Sequence, residues 1–260
     1  MNISLVNISA GYNGCPVLRN ISATLQSGEV ICLLGPNGSG KTTLFRSILG
    51  LLPSTGKILF DGEEFGTADR RKRSRMLAYV PQAHTPPFPF TGLEVVLSGR
   101  TPHIGPFSTP SDIDYRIAMG ALETVGAGHH AGRAYTELSG GERQLVLIAR
   151  ALAQQSRFLI MDEPTSHLDY GNQLKITQTV RTLAQTGMGI ILTTHTPDQA
   201  FLCATRVIAL CRGAIIAQGP PAGALTEPVL KAMYGVTIDV VALEDGRRVC
   251  TPATAQEAVA

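Results

Sequence analysis

The chain carries, at positions 35 to 42, the stretch Gly35-Pro36-Asn37-Gly38-Ser39-Gly40-Lys41-Thr42. This stretch matches the pattern GxxxxGK[ST], in which glycines let backbone N–H groups wrap closely around phosphate oxygens. The apolar run Val30–Leu34 before it predicts a buried strand. Residues 44–49 after it predict a helix whose positive N-terminal end points at the same phosphates. The sequence therefore predicts a phosphate-binding loop between a strand and a helix.

Two side chains of this loop suit the chemistry of a nucleoside triphosphate. Lys41 offers a point charge to the β- and γ-phosphates, and Thr42 offers a hydroxyl to Mg²⁺. The predicted nucleotide-binding residues of the loop are Gly35, Pro36, Asn37, Gly38, Ser39, Gly40, Lys41, Thr42 and Thr43.

The rest of the chain predicts a parallel sheet covered by helices. Short runs of Ile, Val and Leu, typical of buried strands, recur along it, and several of them are followed by a segment with helical periodicity. The clearest predicted strands are residues 30–34, 158–161, 190–194 and 207–210. Residues 3–8 and 18–25 alternate apolar and polar side chains and predict an antiparallel flank. Arg212-Gly213 predicts a hairpin turn. The predicted fold class is α/β, with a mainly parallel sheet, an antiparallel β flank and a helical insert.

The alternation of predicted strands and helices is interrupted between Pro81 and Ser139. Pro86-Pro87-Phe88-Pro89 predicts a stiff linker, and residues 93–97 and 113–125 predict helices, the second capped by Ser111. A helix over 227–234 and a strand over 238–241 are predicted near the C-terminus. We expect an ATP-binding core over 1–86 and 156–220, a helical subdomain over 87–155 and a C-terminal appendage over 221–260.

A second candidate site lies at the end of the apolar run Phe158–Met161, where Asp162 and Glu163 follow directly. Ligands of open α/β sheets bind at the carboxyl ends of the strands. Asp162 is therefore predicted to hold Mg²⁺, and Glu163 to polarise the attacking water as a general base. His195 ends the strand predicted at 190–194 and is predicted to contact the γ-phosphate.

Bulk properties narrow the possible classes of protein. The net charge of +2 is too small to attract nucleic acid over the whole surface, and no apolar run reaches the ~18 residues that span a bilayer. The N-terminus lacks the features of a secretory signal, so a cytoplasmic location is predicted. Five cysteines without CxxC spacing predict reduced, mostly buried thiols. The basic run over 70–75 predicts a solvated helix face, with contact to an acidic partner or lipid headgroups as the alternative.

The stretch between the loop and the acidic strand reads Leu138-Ser139-Gly140-Gly141-Glu142-Arg143-Gln144. It predicts a helix start with Ser139 as N-cap and Glu142 completing a capping box, and such an end binds anions. The heptapeptide resembles the signature of ABC transporter ATPases, and the resemblance covers roughly residues 1–220. In that family the signature of one subunit closes on the ATP held by the loop of the other, so a homodimer with ATP and Mg²⁺ is implied.

The resemblance also assigns roles to single residues. Tyr12 matches the aromatic residue that stacks on adenine, and Gln82 matches the glutamine that reaches Mg²⁺ and couples the helical insert to the core. Asp169 matches the loop that meets the partner subunit. The implied signature contacts to the partner's ATP are Ser139, Gly140, Gly141 and Glu142, and the implied Mg²⁺ contacts are Thr42, Gln82 and Asp162. His167 and Glu142 stand where many members have alanine and glutamine, and neither departure removes a ligand.

Three further stretches resemble one branch of the family, the importers of iron chelates, haem, cobalamin or molybdate and tungstate. They are the residues 95–103, 164–173 and 225–236. The implied partners are two membrane-spanning permease subunits and, indirectly, a substrate-binding protein, with no nucleic acid. The implied location is peripheral, on the inner face of the cell membrane. His103, His129 and His130 are interpreted as exposed loop histidines.

Two alternative functions stay open at this stage. One is a soluble ABC ATPase that acts on nucleic acid, although the chain lacks the long coiled-coil insertions or second cassette of such relatives. The other is a nucleotide-dependent interaction module that does not hydrolyse ATP. The presence of both Glu163 and His195 argues against that module.

Overall fold

The structure is a computed structural model that describes residues 1–64, 70–82, 89–105 and 107–253. Most of the predicted proline-rich linker at 86–89 lies outside these residues. The chain divides into two compact units, residues 1–65 with 191–260 (unit 1) and residues 66–190 (unit 2). The domain limits expected from the sequence stay a prediction.

The described strands alternate with helices along much of the chain. The strands are β1 (Asn2–Tyr12), β2 (Cys15–Gln26), β3 (Val30–Leu34), β4 (Ser54–Phe60), β5 (Glu63–Glu64), β6 (Leu77–Val80), β7 (Phe158–Met161), β8 (Gly189–Thr194), β9 (Arg206–Cys211), β10 (Ala214–Gly219), β11 (Ile238–Ala242) and β12 (Arg248–Pro252). The helices are α1 (Lys41–Ile48), α2 (Arg70–Met76), α3 (Gly92–Leu97), α4 (Asp112–Thr124), α5 (Gly140–Ala153), α6 (Tyr170–Gln185), α7 (Pro197–Cys203), α8 (Pro221–Ala224) and α9 (Glu227–Tyr234).

Unit 1 contains the antiparallel flank that the alternating residues predict. Its strand order is β2-β1-β4-β5, and β1 pairs antiparallel with both β2 and β4. Ile3, Ile8 and Leu18 are fully buried, as expected for strands with one face on the core. Both β1 and β2 extend beyond the predicted ranges, because ladder hydrogen bonds continue past the last alternating side chain.

The other strands of the unit 1 core run β10-β9-β3-β8. Strand β3 pairs in parallel with β9 and is buried along its whole length. Strands β9 and β10 form the predicted hairpin, whose turn residues Arg212 and Gly213 have φ of 49° and 77°. Positive φ at both positions is the geometry of a tight hairpin turn that matches the twist of the strands. The predicted α/β class is confirmed.

The C-terminal residues 221–253 belong to unit 1. Helix α9 has the predicted bounds, and β11 pairs antiparallel with β12, a strand that the sequence did not predict. Leu225 and Leu230 are fully buried, so this segment contributes to the core of its unit.

Unit 2 contains the parallel pair β6 and β7 and the predicted helices α3, α4 and α5, which pack on one another. A buried ion pair fastens these helices together: Arg100 Nε lies 2.9 Å from Asp114 Oδ1. The Arg100 guanidinium also donates to the Ala153 carbonyl oxygen at 2.8 Å. Hydrogen bonds from Ser111, and then the Arg100 guanidinium, hold the pKa of Asp114 well below its usual range. Ser111 caps α4 as predicted.

The burial of two histidines and of the cysteines differs from the prediction. The histidines were expected to be exposed in loops, and the thiols were expected to be mostly buried. His130 is only 3% exposed. It ends a short 3₁₀ helix, and its ring centroid lies 3.8 Å from that of His129, with the two rings tilted by 46°. His103 is half-buried, since its Nε2 lies 2.8 Å from the Gln154 carbonyl oxygen. All five cysteines are free thiols, but only Cys32 and Cys203 are buried.

Helix α2 contains the whole basic run, and Arg71 and Lys72 on it are exposed. The Arg71 guanidinium donates to the Pro102 carbonyl oxygen at 3.2 Å. In the part of the chain that the structure describes, no helix is long and apolar enough to cross a bilayer.

Candidate functional site

The phosphate-binding loop joins β3 to α1 in unit 1, as predicted. Gly40 is the N-cap of α1 and has φ of 107°, a backbone conformation that favours glycine. A Cβ at Gly35 would lie 2.4 Å from the Leu210 carbonyl oxygen, and a Cβ at Gly40 would lie 2.6 Å from Leu18 Cδ2. The loop therefore takes this compact shape only with glycine at both positions.

Lys41 is buried and folds back over the loop. Its Nζ donates to the carbonyl oxygens of Gly35 at 2.6 Å and Pro36 at 3.2 Å. Ser39 Oγ is also buried, and it has no hydrogen-bond partner among the described residues. An ammonium group and a buried hydroxyl at a helix N-terminus form a donor set for an anion. Thr42 is exposed, whereas Thr43 is buried.

The predicted adenine-stacking residue, Tyr12, is the last residue of β1 and is 39% exposed. Its hydroxyl accepts a hydrogen bond from Arg46 Nη1 at 3.2 Å. Arg46 lies in the last turn of α1 and did not enter the sequence prediction. An exposed aromatic face beside a guanidinium can accept a stacked base.

His195 is exposed in the two-residue connection between β8 and α7 of unit 1. The backbone N–H of Gly35 donates to the carbonyl oxygen of Thr194, the residue before His195, at 3.3 Å. The structure thus brings the main chain of His195 next to the start of the phosphate-binding loop. The Tyr234 hydroxyl, which the sequence did not single out, donates to the His195 carbonyl oxygen at 2.8 Å.

The acidic pair lies at the end of β7 in unit 2. Asp162 is 5% exposed, and its backbone N–H donates to the Val80 carbonyl oxygen at 2.9 Å. Glu163 has φ of 47°, a strained conformation for a residue with a side chain. Ser166 holds this conformation, because its N–H and its hydroxyl both donate to the Glu163 carbonyl oxygen. Gln82 Nε2 donates to Glu163 Oε2 at 3.3 Å, so two predicted site residues are in contact.

Helix α5 of unit 2 begins with the predicted capping box. The Ser139 hydroxyl accepts from the Glu142 backbone N–H at 3.4 Å, and Glu142 Oε2 accepts from the Ser139 N–H at 2.7 Å. Glu142 Oε1 lies 3.6 Å from His130 Nε2 and 3.7 Å from Arg133 Nη1. The hydrogen bonds from Ser139 lower the pKa of Glu142, and His130 and Arg133 add to that effect. Ser139 and Gly140 are exposed.

Gly141 has a packing role that the sequence did not indicate. A Cβ at this position would lie 2.5 Å from Asn172 Cγ. Asn172 lies in the first turn of α6, and its N–H donates to Oδ1 of Asp169, the N-cap of that helix, at 2.9 Å. These hydrogen bonds lower the pKa of Asp169. The starts of α5 and α6 are therefore packed against each other, which places the predicted dimer-loop residue beside the signature.

The residues of the loop in unit 1 fit the phosphates of a nucleotide. The loop of unit 1 supplies a glycine-lined cradle, the Lys41 ammonium and the orphaned Ser39 hydroxyl. The predicted metal contacts Thr42, Asp162 and Gln82 offer only hydroxyl, carboxylate and amide oxygens, the hard ligands that Mg²⁺ prefers.

Comparisons with known proteins identify the family. A family model described as ABC transporter matches residues 18–166. An uncharacterized ABC transporter ATP-binding protein of Haemophilus influenzae is 39% identical over 235 residues, covering 90% of this chain and 89% of the relative. The hemin import ATP-binding protein HmuV of Bordetella bronchiseptica is 35% identical over 252 residues, covering 93% of this chain and 95% of the relative.

Solved structures give the same result. One described as an inward-facing conformation of a metal-chelate type ABC transporter is 32% identical, has a TM-score of 0.85 and covers 97% of both chains. A dimeric post-hydrolysis state of the ATP-binding cassette MJ0796 bound to ADP and Pi is 26% identical, has a TM-score of 0.73 and covers 84% of this chain and 98% of that chain. This chain therefore belongs to the ABC transporter family and is an ATP-binding, ATP-hydrolysing protein of that family.

Proposed function

We propose that this ATPase drives an importer by binding MgATP between two copies of itself. One observation supports the proposal: the chain has a glycine-lined loop at 35–43 before α1 and an exposed, capped start of α5 at Ser139, and each is suited to bind phosphate. The neighbour described as a dimeric cassette bound to ADP and Pi supports a paired arrangement. In the pair that we propose, the start of α5 of each copy faces the nucleotide held by the loop of the other.

Each predicted residue has one task in this proposal. Tyr12 stacks on the adenine, and Lys41 and the loop N–H groups bind the β- and γ-phosphates. Ser139 and the glycines after it bind the γ-phosphate held by the second copy. When bound through Thr42, Gln82 and Asp162, Mg²⁺ neutralises charge that develops on the phosphate oxygens. Glu163 accepts a proton from the attacking water, and His195 contacts the γ-phosphate.

In this proposal, ATP shifts the equilibrium between the open and the closed pair towards the closed pair. ATP favours the closed pair because its triphosphate contacts both copies, and hydrolysis removes that preference. Gln82 contacts Glu163, so it is suited to report the state of the γ-phosphate to the helices of unit 2. Those helices pass opening and closing to two permease subunits, and the protein works at the inner face of the cell membrane.

The cargo proposed is haem or another metal chelate. HmuV is described as a hemin import protein, and the structure with a TM-score of 0.85 is described as metal-chelate type. Cobalamin and molybdate or tungstate are the other cargoes implied by the resemblance. Neither the alternative of an ATPase acting on nucleic acid nor that of a non-hydrolysing module is favoured by these relatives.

The test is reconstitution of the chain with the membrane subunits encoded beside it in vesicles containing ATP. Uptake of haem, a ferric chelate, cyanocobalamin and molybdate is measured separately, with Glu163→Gln as the control. We expect ATP-dependent uptake of haem or the ferric chelate that the control lacks. Uptake of none of the four compounds, with ATPase activity intact, would contradict the importer assignment, and uptake of cyanocobalamin or molybdate alone would contradict the proposed cargo.

A further inference from the structure

The C-terminal segment of unit 1 contacts the connection that carries His195. Tyr234, the last residue of α9, donates its hydroxyl to the His195 carbonyl oxygen at 2.8 Å. This distance is near the optimum for an O–H to O hydrogen bond. Since only His195 and Thr196 join β8 to α7, fixing this carbonyl oxygen restricts the main chain on which the imidazole is mounted.

A second contact restrains the same connection from its other side. Asp198 lies in the first turn of α7, three residues after His195, and its Oδ1 accepts from the Cys250 backbone N–H at 2.7 Å. Cys250 belongs to β12, which packs against α7. Two separate elements of the C-terminal segment therefore contact this region: α9 at the main chain of His195 within the connection, and β12 at the Asp198 side chain just after it.

The segment that makes these contacts is itself firmly anchored. Leu230 is fully buried and Met233 is 6% exposed, both on α9. The helix ends sharply at Tyr234 because Gly235 takes φ of 75° and its N–H donates to the Lys231 carbonyl oxygen at 2.8 Å. The position of the Tyr234 ring is therefore set by a packed helix end.

The Tyr234 hydroxyl is suited to act as a permanent donor. Burial raises the pKa of this group, and the nearby thiols of Cys32 and Cys250 raise it further. The hydroxyl thus keeps its proton at every physiological pH. Phenylalanine at this position would keep the half-buried ring and remove only the donor.

We propose that the C-terminal segment is a positioning element for His195, with Tyr234 as its principal positioning residue. Tyr234 and the pair Asp198 and Cys250 hold the connection so that the imidazole stays directed at the γ-phosphate. The inference rests on the proposed contact between His195 and the γ-phosphate. It gives residues 221–253 a role in the hydrolytic step.

The first test compares Tyr234→Phe with Tyr115→Phe, a matched change at an exposed tyrosine of α4. We expect Tyr234→Phe to lower kcat by about two- to tenfold, the range for one net hydrogen bond, with the KM for ATP unchanged. Tyr115→Phe should leave both constants unchanged. Unaltered kcat in Tyr234→Phe would overturn the inference, as would a fall in kcat of equal size in Tyr115→Phe.

The second test measures the NMR chemical shift of the His195 side chain in protein with ¹³C-labelled histidine. The His195 signal is assigned from its loss in His195→Gln. Tyr234→Phe should shift the His195 signal and Tyr115→Phe should not. If Tyr234→Phe proves unstable, Asp198→Ala provides the same readout from the other contact. An unmoved His195 signal in the folded variant would overturn the inference.

The proposed function and this inference fail in different ways. Normal turnover in His195→Gln would refute the contact between His195 and the γ-phosphate, and with it the inference. Loss of turnover in His195→Gln together with full activity in Tyr234→Phe would refute the inference alone.

Discussion

Gln82 Nε2 donates a hydrogen bond to Glu163 Oε2, with 3.3 Å between the two atoms. The proposed general base is thus in contact with the glutamine proposed to reach Mg²⁺ and couple the helices. Glu163 also sits in the left-handed region with φ of 47°. Strain of this kind costs on the order of 1–3 kcal/mol and persists where the surrounding structure enforces it, as Ser166 does here.

The role of Glu163 as general base predicts a large loss of turnover in Glu163→Gln. The amide keeps the size of the side chain and lacks the basicity, so we expect kcat to fall by about 10²- to 10⁴-fold while MgATP still binds. Steady-state phosphate release and nucleotide binding by fluorescence are the measurements. Glu137→Gln, at an exposed position, is the control, and normal turnover in Glu163→Gln would overturn the assignment.

Lys41 is predicted to contribute to nucleotide affinity itself. Its ammonium lies over the loop, 2.6 Å from the Gly35 carbonyl oxygen, where a phosphate would meet it. Because hydrogen bonds to charged groups are strong, Lys41→Ala should weaken ATP binding by about 10- to 100-fold in equilibrium titration. Lys57→Ala, at an exposed position of β4, should bind ATP normally. Equal affinity in both variants would count against the cradle.

Packing at the start of α5 predicts that Gly141→Ala destabilises the protein. Its Cβ would collide with the Asn172 side chain, and overpacking of this kind costs about 1–3 kcal/mol. In denaturant unfolding, Asn172→Ala should remove much of this cost in a double-mutant cycle. Gly120→Ala, where an added Cβ meets nothing within 4 Å, should be tolerated. Additive effects at 141 and 172 would disprove the collision.

His130 is predicted to make stability depend on pH near neutrality. Burial, and then the charges of His129 and Arg133, lower its pKa, whereas Glu142 opposes the shift. His130 lines a cavity that is also lined by Glu142 and Lys175. Because the unfolded state then binds more protons, stability should be highest above the unfolded value of about 6.5 and fall as the pH drops.

Unfolding free energies at about pH 8 and about pH 5.5 bracket the titration of an ordinary histidine. We expect His130→Gln to show a smaller difference between these two pH values than the parent protein. His167→Gln is the control, since His167 is exposed and is not among the groups that shift the pKa of His130. An identical pH dependence in His130→Gln and the parent would contradict this account.

Features that depend on a few consecutive residues could be predicted from the sequence. Features that depend on contacts between residues far apart in the chain could not. The phosphate loop, the hairpin at Arg212 and the capping box at Ser139 each depend on a few consecutive residues. His130 is buried in the folded chain and lies 3.6 Å from Glu142, twelve residues further on, and the need for glycine at 141 depends on Asn172.

Strand β6 and strand β12 were missed for a related reason. The first has only four residues and is recognisable only from its pairing with β7. The second pairs with β11 although none of its own residues is buried. Tyr234 was overlooked because its partner is the main chain of His195, 39 residues away, and a main-chain acceptor leaves no pattern in the sequence.

The central claim is that ATP is bound between the loop of one copy and the start of α5 of the other. The most direct measurement is the solution mass of Glu163→Gln by light scattering, with and without MgATP. We predict twice the mass of one chain only with MgATP, and its loss when Ser139→Arg is added. Ser111→Arg, at the N-cap of α4 with the same type of capping box, should leave the pair intact. A single-chain mass at saturating MgATP, or a pair unaffected by Ser139→Arg, would contradict the account.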